Sequence, residues 1–364
     1  MKNIAVFFGG VSVEHDVSVI TGVLTVNALK RTGNFNVFPV YVDKSGEFFT
    51  GEELNDVENY GKNNFKKIKR VTILPAVPSL FEVKGKKLKE ICVLSAAVNC
   101  MHGGAGESGA LSGLLTLSGI PFASPDLLAS SVSMDKYAAK IFLKGLKVKT
   151  LKGKRVSDVS QTEKLPFPYP VVVKPCDTGS SIGITVANNK KELIKGVNYA
   201  LRFSSFALIE EFAVSAVEVN CAAYMDGEGK VVVSECEKPV LKGEILSFDD
   251  KYKKGEREFP ADIDKKFSDE IKKTTEKVYL ALNCSGVIRI DYFIYKDKVY
   301  LNEINSVPGS LSYYLFGDTL KSFAKILKET FTEAEKRFSQ KSSLKKSFET
   351  SVLNLKGAKG QKRL

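Results

Sequence analysis

Residues 288–310 read IRIDYFIYKDKVYLNEINSVPGS, and they place acidic side chains where a strand pair alone has no use for them. Runs rich in Ile, Val, Tyr and Phe on either side of the polar Lys296-Asp297-Lys298 predict two short antiparallel strands joined by a tight turn. With the turn symmetric about Asp297, counting outward sets Asp291 opposite Glu303 and Arg289 opposite Asn305, all on one face of the hairpin. Directly opposed Cβ atoms lie ~4.5–5.5 Å apart and like charges there are destabilising, so the two carboxylates call for a cation. A hard divalent ion suits the set. Asp291, Glu303 and Asn305 offer carboxylate and amide oxygens, and Mg²⁺ takes few protein ligands and completes its shell with phosphate and water. Arg289 would then stand beside a metal-bound phosphate or a developing oxyanion. A solvent-facing strand pair with ordinary charges is the alternative, and a one-residue slip of register would produce it.

Around this hairpin the composition is that of a globular, enzyme-sized chain: 364 residues, 43% hydrophobic and 26% charged, enough for two or three domains. No apolar run approaches the roughly 18 residues of a membrane span, and the opening MKNIAVFFGG enters a strand at once. A cytoplasmic protein with no membrane association is therefore expected. Cys92, Cys100, Cys176, Cys221, Cys236 and Cys284 show no CxxC spacing, so neither a disulfide nor a zinc site is expected. The net charge of +12 raises the question of a nucleic-acid partner. The lysines, however, are spread along the chain, densest at 62–70 and after 336, with no recognition motif among them. They read as solvated surface, and no nucleic-acid partner is expected.

Residues 1–130 predict an α/β domain. A short apolar strand at 4–8 runs into Gly9-Gly10, and Ser12 and Glu14 signal a helix with apolar spacing at Val17, Ile20 and Leu24. Strands at 35–42 and 91–101 alternate with helical segments, as in parallel βαβ architecture. Glu14 and His15 fall at the C-terminal end of a strand, the side on which such sheets bind ligands, although GGVSVEHD lacks the GxGxxG spacing. A second glycine cluster, HGGAGESG at 102–109, repeats the strand-glycine-helix logic; its His102 is either catalytic or a structural hydrogen-bonding group. Asp135 is placed to start a helix, with Lys136 within reach of a phosphate.

A new domain begins near FPYPVVVKPCDTGSSIGITVA at 167–187, a strand, a glycine-serine loop and a second strand. The loop at 177–183 can offer amides and hydroxyls to phosphate oxygens. Lys174 precedes the glycines, so this is not a GxxxxGK[ST] loop. Glu210 and Glu211 end a short apolar strand and Glu218 opens another; they are surface charges, or carboxylates for an adenine amino group and ribose hydroxyls. Residues 242–261 have no sustained periodicity and many charges, the mark of a lid-length loop. The basic tail at 336–364 is expected to fray.

In order along the chain, GGVSVEHDVS, HGGAGESG, MDK, VVVKPCDTGSSIG, LIEEF, DDKY, IRIDYF and LNEINSVPGS resemble the D-alanine–D-alanine ligase family of the ATP-grasp superfamily over residues 4–330. The resemblance implies an α/β (α+β) fold: an N-terminal Rossmann-like parallel-sheet domain at 1–130, then a two-lobed ATP-grasp unit with lobes at 131–210 and 211–335. It also implies ATP, two Mg²⁺ ions with Mn²⁺ as a substitute, D-alanine as the small-molecule substrate, a role in peptidoglycan precursor synthesis, and a homodimer as the family's habit. ATP would phosphorylate the carboxylate of one D-alanine, and the amine of a second would attack the acyl phosphate.

By the same resemblance, Glu14 would hold the first substrate's ammonium and join Ser180 and Tyr252 in closing the lid. Lys136, Lys174 and Ser181 would contact ATP phosphates, with Lys251 approaching the γ-phosphate. Glu210 and its neighbour Glu211 would face the adenine and Glu218 the ribose. Asp291, Glu303 and Asn305 would be the metal ligands, and Arg289 with the Gly309 amide the oxyanion stabilisers. Two stretches depart from the family. Its usual GEDG with a following glutamine is here Gly106-Glu107-Ser108-Gly109 with Ser112, and its PGMT is here Pro308-Gly309-Ser310-Leu311, leading to Tyr313-Tyr314. The latter lines the acceptor side and leaves open another D-amino acid or a D-hydroxy acid such as D-lactate. A non-catalytic polyanion-binding protein is disfavoured by the complete set Lys174, Arg289, Asp291, Glu303 and Asn305.

Overall fold

Among the described residues, alternating apolar strands fold into four sheets, three of four or more strands and one of two, and residues from them line two clefts. The computed structural model describes residues 1–61, 65–240 and 257–350. The strands are β1 Lys2–Gly9, β2 Phe35–Val42, β3 Phe48–Thr50, β4 Lys69–Leu74, β5 Val77–Lys84, β6 Lys87–Val93, β7 Ala96–Asn99, β8 Gly153–Val156 and β9 Val171–Pro175. They continue with β10 Thr185–Ala187, β11 Ala207–Glu211, β12 Val217–Met225, β13 Val231–Val233, β14 Lys238–Pro239, β15 Arg257–Glu258, β16 Ile288–Tyr295 and β17 Lys298–Asn305. The helices are α1 His15–Lys30, α2 Val57–Gly61, α3 Gly104–Glu107, α4 Ala110–Leu117, α5 Leu127–Met134, α6 Lys136–Gly145, α7 Lys190–Ala200, α8 Lys265–Ala281 and α9 Leu320–Ser343.

The first sheet has the order β6-β5-β4-β3-β2-β1-β7. Strands β2, β1 and β7 are parallel, as expected of a βαβ unit, and β1 is buried on both faces: Ile4, Val6 and Phe8 pack into one core and Ala5 and Phe7 into another. From β2 to β6 the sheet is an antiparallel meander, which short turns can join without crossover helices. The single strand expected at 91–101 is two strands on opposite edges of the sheet. At the break, the Leu94 amide donates to Pro78 and the Ser95 amide to Asn3. Two connecting residues span at most ~10 Å, so the sheet must curl until its edges meet there.

Helix α1 lies against β1 through Gly22, where a Cβ would come 2.1 Å from the Phe8 ring. Its other apolar positions, including Val23, Val26 and Leu29, share a core with Phe323, Leu327 and Phe331 of α9. The second sheet, β10-β9-β11-β8, is covered by α7 through Leu193 and Val197. The third, β13-β12-β16-β17, is covered by α8 through Ile271, Val278 and Tyr279. Helix α9 runs on to Ser343, past the start of the expected tail, because Arg337 bonds Glu333 at 2.7 Å and the carbonyls of Asn283 and Cys284 at 2.7 and 2.9 Å. The six cysteines carry free thiols. Among the described residues no helix is long and apolar enough to cross a membrane.

The hairpin of β16 and β17 pairs Arg289 with Asn305 and Asp291 with Glu303, by a route that simple counting does not foresee. The turn is the two residues Lys296-Asp297, both left-handed at φ 48° and 57°, so near the tip the register is one residue off the symmetric count. An irregularity at Asp291/Tyr292 inserts Asn302 as an extra residue on β17 and restores the count. A bulge of this kind re-aims side chains: Asn302 and Glu303, neighbours in sequence, both face the same cleft.

Candidate active site

The two clefts, of about 370 and 330 Å³, share Lys136, Thr178, Gly179 and Glu303 in their walls. Lys136 is held at this junction by its position at the start of α6, which Asp135 caps by accepting from the amides of Tyr137 and Ala138 at 2.8 Å. Its ammonium donates to the Thr178 carbonyl at 2.6 Å and lies 3.9 Å from Glu303. The glycine-serine loop reaches the junction through a left-handed turn, with φ 51° at Ser180 and 58° at Ser181. Non-glycine residues are uncommon in that region and cluster at ligand clamps.

The first cleft is built around Glu14, which is 6% exposed and accepts a hydrogen bond from the Ser180 hydroxyl. Room for this carboxylate depends on two glycines. A Cβ at Gly179 would lie 2.6 and 2.8 Å from its oxygens, and one at Gly103 would lie 2.7 Å from one of them. Behind Glu14, buried Glu107 accepts from the amides of Gly103 at 2.9 Å and Val307 at 3.2 Å, tying the second glycine cluster to the end of the hairpin. Burial, reinforced by the charge of Glu14, pushes the Glu107 carboxyl up to about 7. His102 lines the same cleft. Burial, with Arg289 nearby, pushes its imidazole down to about 4, so it is uncharged at neutral pH. Its Nε2 pairs with Thr21 Oγ1 at 2.9 Å, and Thr21 Oγ1 accepts from the Ser310 amide at 3.0 Å. His15, by contrast, turns away to the Gly10 carbonyl and the Tyr41 hydroxyl.

Three successive residues, Ser310, Leu311 and Ser312, adopt left-handed φ of 51°, 46° and 46°. The segment is held by the Thr21 contact and by Leu311 packed in the core shared by α1 and α9. Gly309, Ser310 and Tyr314 thereby face the cleft. Opposite, Arg289 clasps Asp291 through two hydrogen bonds of 2.7 and 2.9 Å, and the Asn305 amide donates to the same carboxylate at 3.1 Å.

The second cleft contains a buried charge cluster. Glu210, 3% exposed, is bonded by both Lys140 and Lys174. Burial opposes ionisation, but the two ammonium groups hold its carboxyl below the ordinary value; burial also lowers Lys140. Lys174 reaches further to Asn302 at 3.3 Å. Phe212, Val214, Val172 and Phe293 give the cleft apolar walls, while Glu211, Glu218 and Ser181 stand at its polar edges. The cleft thus combines apolar walls with the ammonium groups of Lys136 and Lys174, a lining that suits an aromatic, anionic ligand.

The donor set on the hairpin fits a hard cation in kind, with two carboxylates and an amide. Glu303 faces both clefts and Asn305 one of them, while Asp291 is 2% exposed and occupied by Arg289. Among the described residues, Arg289 bonds Asp291 and Lys136 lies 3.9 Å from Glu303. Tyr252 and Lys251, expected from the lid, lie outside the described residues. Sequence reasoning did not find Lys140, Asn302, Asn220, Glu237 or Arg257. Lys140 is one more lysine in a lysine-rich helix, and Asn302 faces the cleft only because of the bulge.

Known proteins match this chain over most of its length. The family models described as D-ala D-ala ligase N-terminus and D-ala D-ala ligase C-terminus match residues 3–125 and 143–325. A D-alanine–D-alanine ligase from Thermosipho melanesiensis is 33% identical, covering 99% of this chain and 100% of its own. The crystal structure of the D-alanine–D-alanine ligase from Helicobacter pylori superposes with TM-score 0.76 at 28% identity, over 92% of this chain and 98% of its own. The VanG D-Ala:D-Ser ligase from Enterococcus faecalis gives TM-score 0.73 at 25% identity, over 93% and 98%. With both halves of its length matched and a relative one third identical from end to end, this chain belongs to the D-alanine–D-alanine ligase family.

Proposed function

We propose that this chain is an ATP-dependent ligase that joins two D-alanine molecules into D-alanyl-D-alanine for peptidoglycan precursor synthesis. The meeting of the two clefts at Lys136, Thr178, Gly179 and Glu303 carries the reading, because it puts a phosphoryl donor next to a site for small zwitterions. Glu14, with Ser180, takes the ammonium of the first D-alanine and directs its carboxylate toward the junction. A carboxylate oxygen attacks the γ-phosphorus of ATP, ADP leaves, and an acyl phosphate forms. Lys136 and Lys174 bind and orient the phosphates. Glu303, Asn305 and, once released from Arg289, Asp291 would hold Mg²⁺, whose chemistry is to neutralise charge on the phosphates.

The amine of the second D-alanine then attacks the acyl carbon. Arg289 and the Gly309 amide stabilise the oxyanion, the C–N bond forms, and inorganic phosphate and a proton leave. Glu211 and Glu218 hold the nucleoside end. Incubation of the protein with ATP, Mg²⁺ and D-alanine, alone or mixed with D-lactate or D-serine, should release phosphate and yield D-alanyl-D-alanine by mass. Phosphate release with a different product would replace the acceptor, and no release with any of the three would sink the ligase reading.

A further inference from the structure

The acidic pair on the hairpin is half of a longer row. Across the third sheet Glu303 is opposite Asp291 and Asp291 opposite Asn220, and Asn220 exchanges backbone hydrogen bonds with Glu237 at 2.8 and 2.9 Å. Each acid in the row has its own cation: Lys136 near Glu303, Arg289 on Asp291, and Arg257 on Glu237 at 3.2 Å. Neighbouring strands are about 4.8 Å apart, so the row is roughly 14 Å long. It starts at the wall shared with the nucleotide cleft and ends at Arg257, which lines the first cleft alone. The phosphate and the attacking amine share one acyl carbon, so with the phosphoryl group at the Glu303 end the second amino acid extends along the row and carries its carboxylate roughly 7 Å from the phosphorus. That carboxylate is the end of the substrate on the Arg257 side.

On these grounds, and resting on the ligase reading above, we propose that Arg257 binds the acceptor carboxylate, with Glu237 and Tyr314 as the positioning residues that present it. Arg289 is less suited to this task, since the ligase reading gives it the oxyanion of the acyl-transfer step and its partner Asp291 lies two strands of the row away from Glu237. Arg257 spends one Nη on Glu237, which Asn220 steadies through its side-chain amide at 3.2 Å. Among the described residues its other donors have no hydrogen-bond partner, and its side chain is 34% exposed, against 6% for Glu237. The guanidinium lies over the Tyr314 ring at 4.6 Å and near the Phe259 ring at 5.4 Å, a stacking for which arginine is suited. This accounts for the bulky residue at 314: the ring supports the guanidinium, and a small hydroxyl residue there would not.

The test compares Arg257→Gln, Arg257→Lys and Tyr314→Leu in the full chain. Readouts are the second-site KM for D-alanine, the KM for ATP, and oxygen-isotope exchange within ATP in the presence of the donor amino acid, which reports acyl-phosphate formation without the acceptor step. Arg257→Gln should raise the second-site KM roughly 10- to 100-fold, the worth of a charge-assisted hydrogen bond, with the ATP KM and isotope exchange near wild type. Arg257→Lys should recover only part of the loss, and Tyr314→Leu should follow Arg257→Gln. Persisting isotope exchange shows that each variant is folded. An Arg257→Gln second-site KM within about twofold of wild type, a parallel rise in both KM values, or loss of isotope exchange would overturn the assignment. Failure of the wild-type protein to make D-alanyl-D-alanine would strike the ligase reading instead.

Discussion

Glu210→Gln tests the charge cluster of the nucleotide cleft most directly. The substitution preserves shape but removes the negative charge between Lys140 and Lys174, whose side chains are 10% and 7% exposed. Breaking a buried ion pair by removing one partner costs ~3–5 kcal/mol, because the remaining charge is uncompensated. For a chain of this size that corresponds to a fall in melting temperature of roughly 4–7 °C. Lys140→Met should cost less, since Glu210 keeps Lys174 and the repulsion between the two ammonium groups disappears. The double variant should be more stable than Glu210→Gln alone, with a coupling of roughly 0.5–3 kcal/mol. The pH dependence has a definite sign. Because the folded Glu210 carboxyl is held below its ordinary 4.5, its contribution is present above that pH and is lost as pH falls through the folded value. Glu210→Gln should therefore flatten the acid limb of the stability profile. Thermal denaturation of the four proteins from pH 3 to 8 gives all of these quantities. A Glu210→Gln protein melting within about 2 °C of wild type, or losses that simply add in the double variant, would refute the reasoning.

If Glu303 holds the metal as proposed, Glu303→Gln should abolish turnover while leaving the melting temperature within a few degrees of wild type, because a cleft-facing carboxylate is lost and little packing; near-normal turnover in the folded variant would remove Glu303 from the metal site. Gly179→Ala should raise the first-site KM for D-alanine about tenfold or more, since its Cβ meets the Glu14 carboxylate at 2.6 Å, and an unchanged first-site KM would separate that carboxylate from the donor ammonium. Glu107, whose folded carboxyl is raised to about 7 from 4.5, favours the folded state below pH 4.5 and loses that contribution as pH rises through 7. Glu107→Gln should accordingly flatten the stability profile across this window, as denaturation at pH 4.5, 6 and 8 would show.

The sequence alone carried the hairpin, the order of the glycine and acidic motifs, and with them the family. These signals are local: strand alternation, turn residues and a carboxylate pair survive in a one-dimensional reading because the partners lie within a dozen residues of each other. Even so, the pairing of Asp291 with Glu303 came out of two offsetting features, a shorter turn and a bulge at Asn302. What only the tertiary structure decided is which distant side chains share a charge. Glu14 meets Ser180, Glu210 meets Lys140 and Lys174, and Arg257 meets Glu237 and Tyr314. None of those contacts leaves a periodic signal, since a lysine that neutralises a buried acid and one that lies in water look alike in sequence. The meander beyond β2 was hidden for a related reason. Short polar-rich strands such as β6, with the pattern KLKEICV, become strands through the neighbour they pair with, and that neighbour is fixed only when the sheet curls.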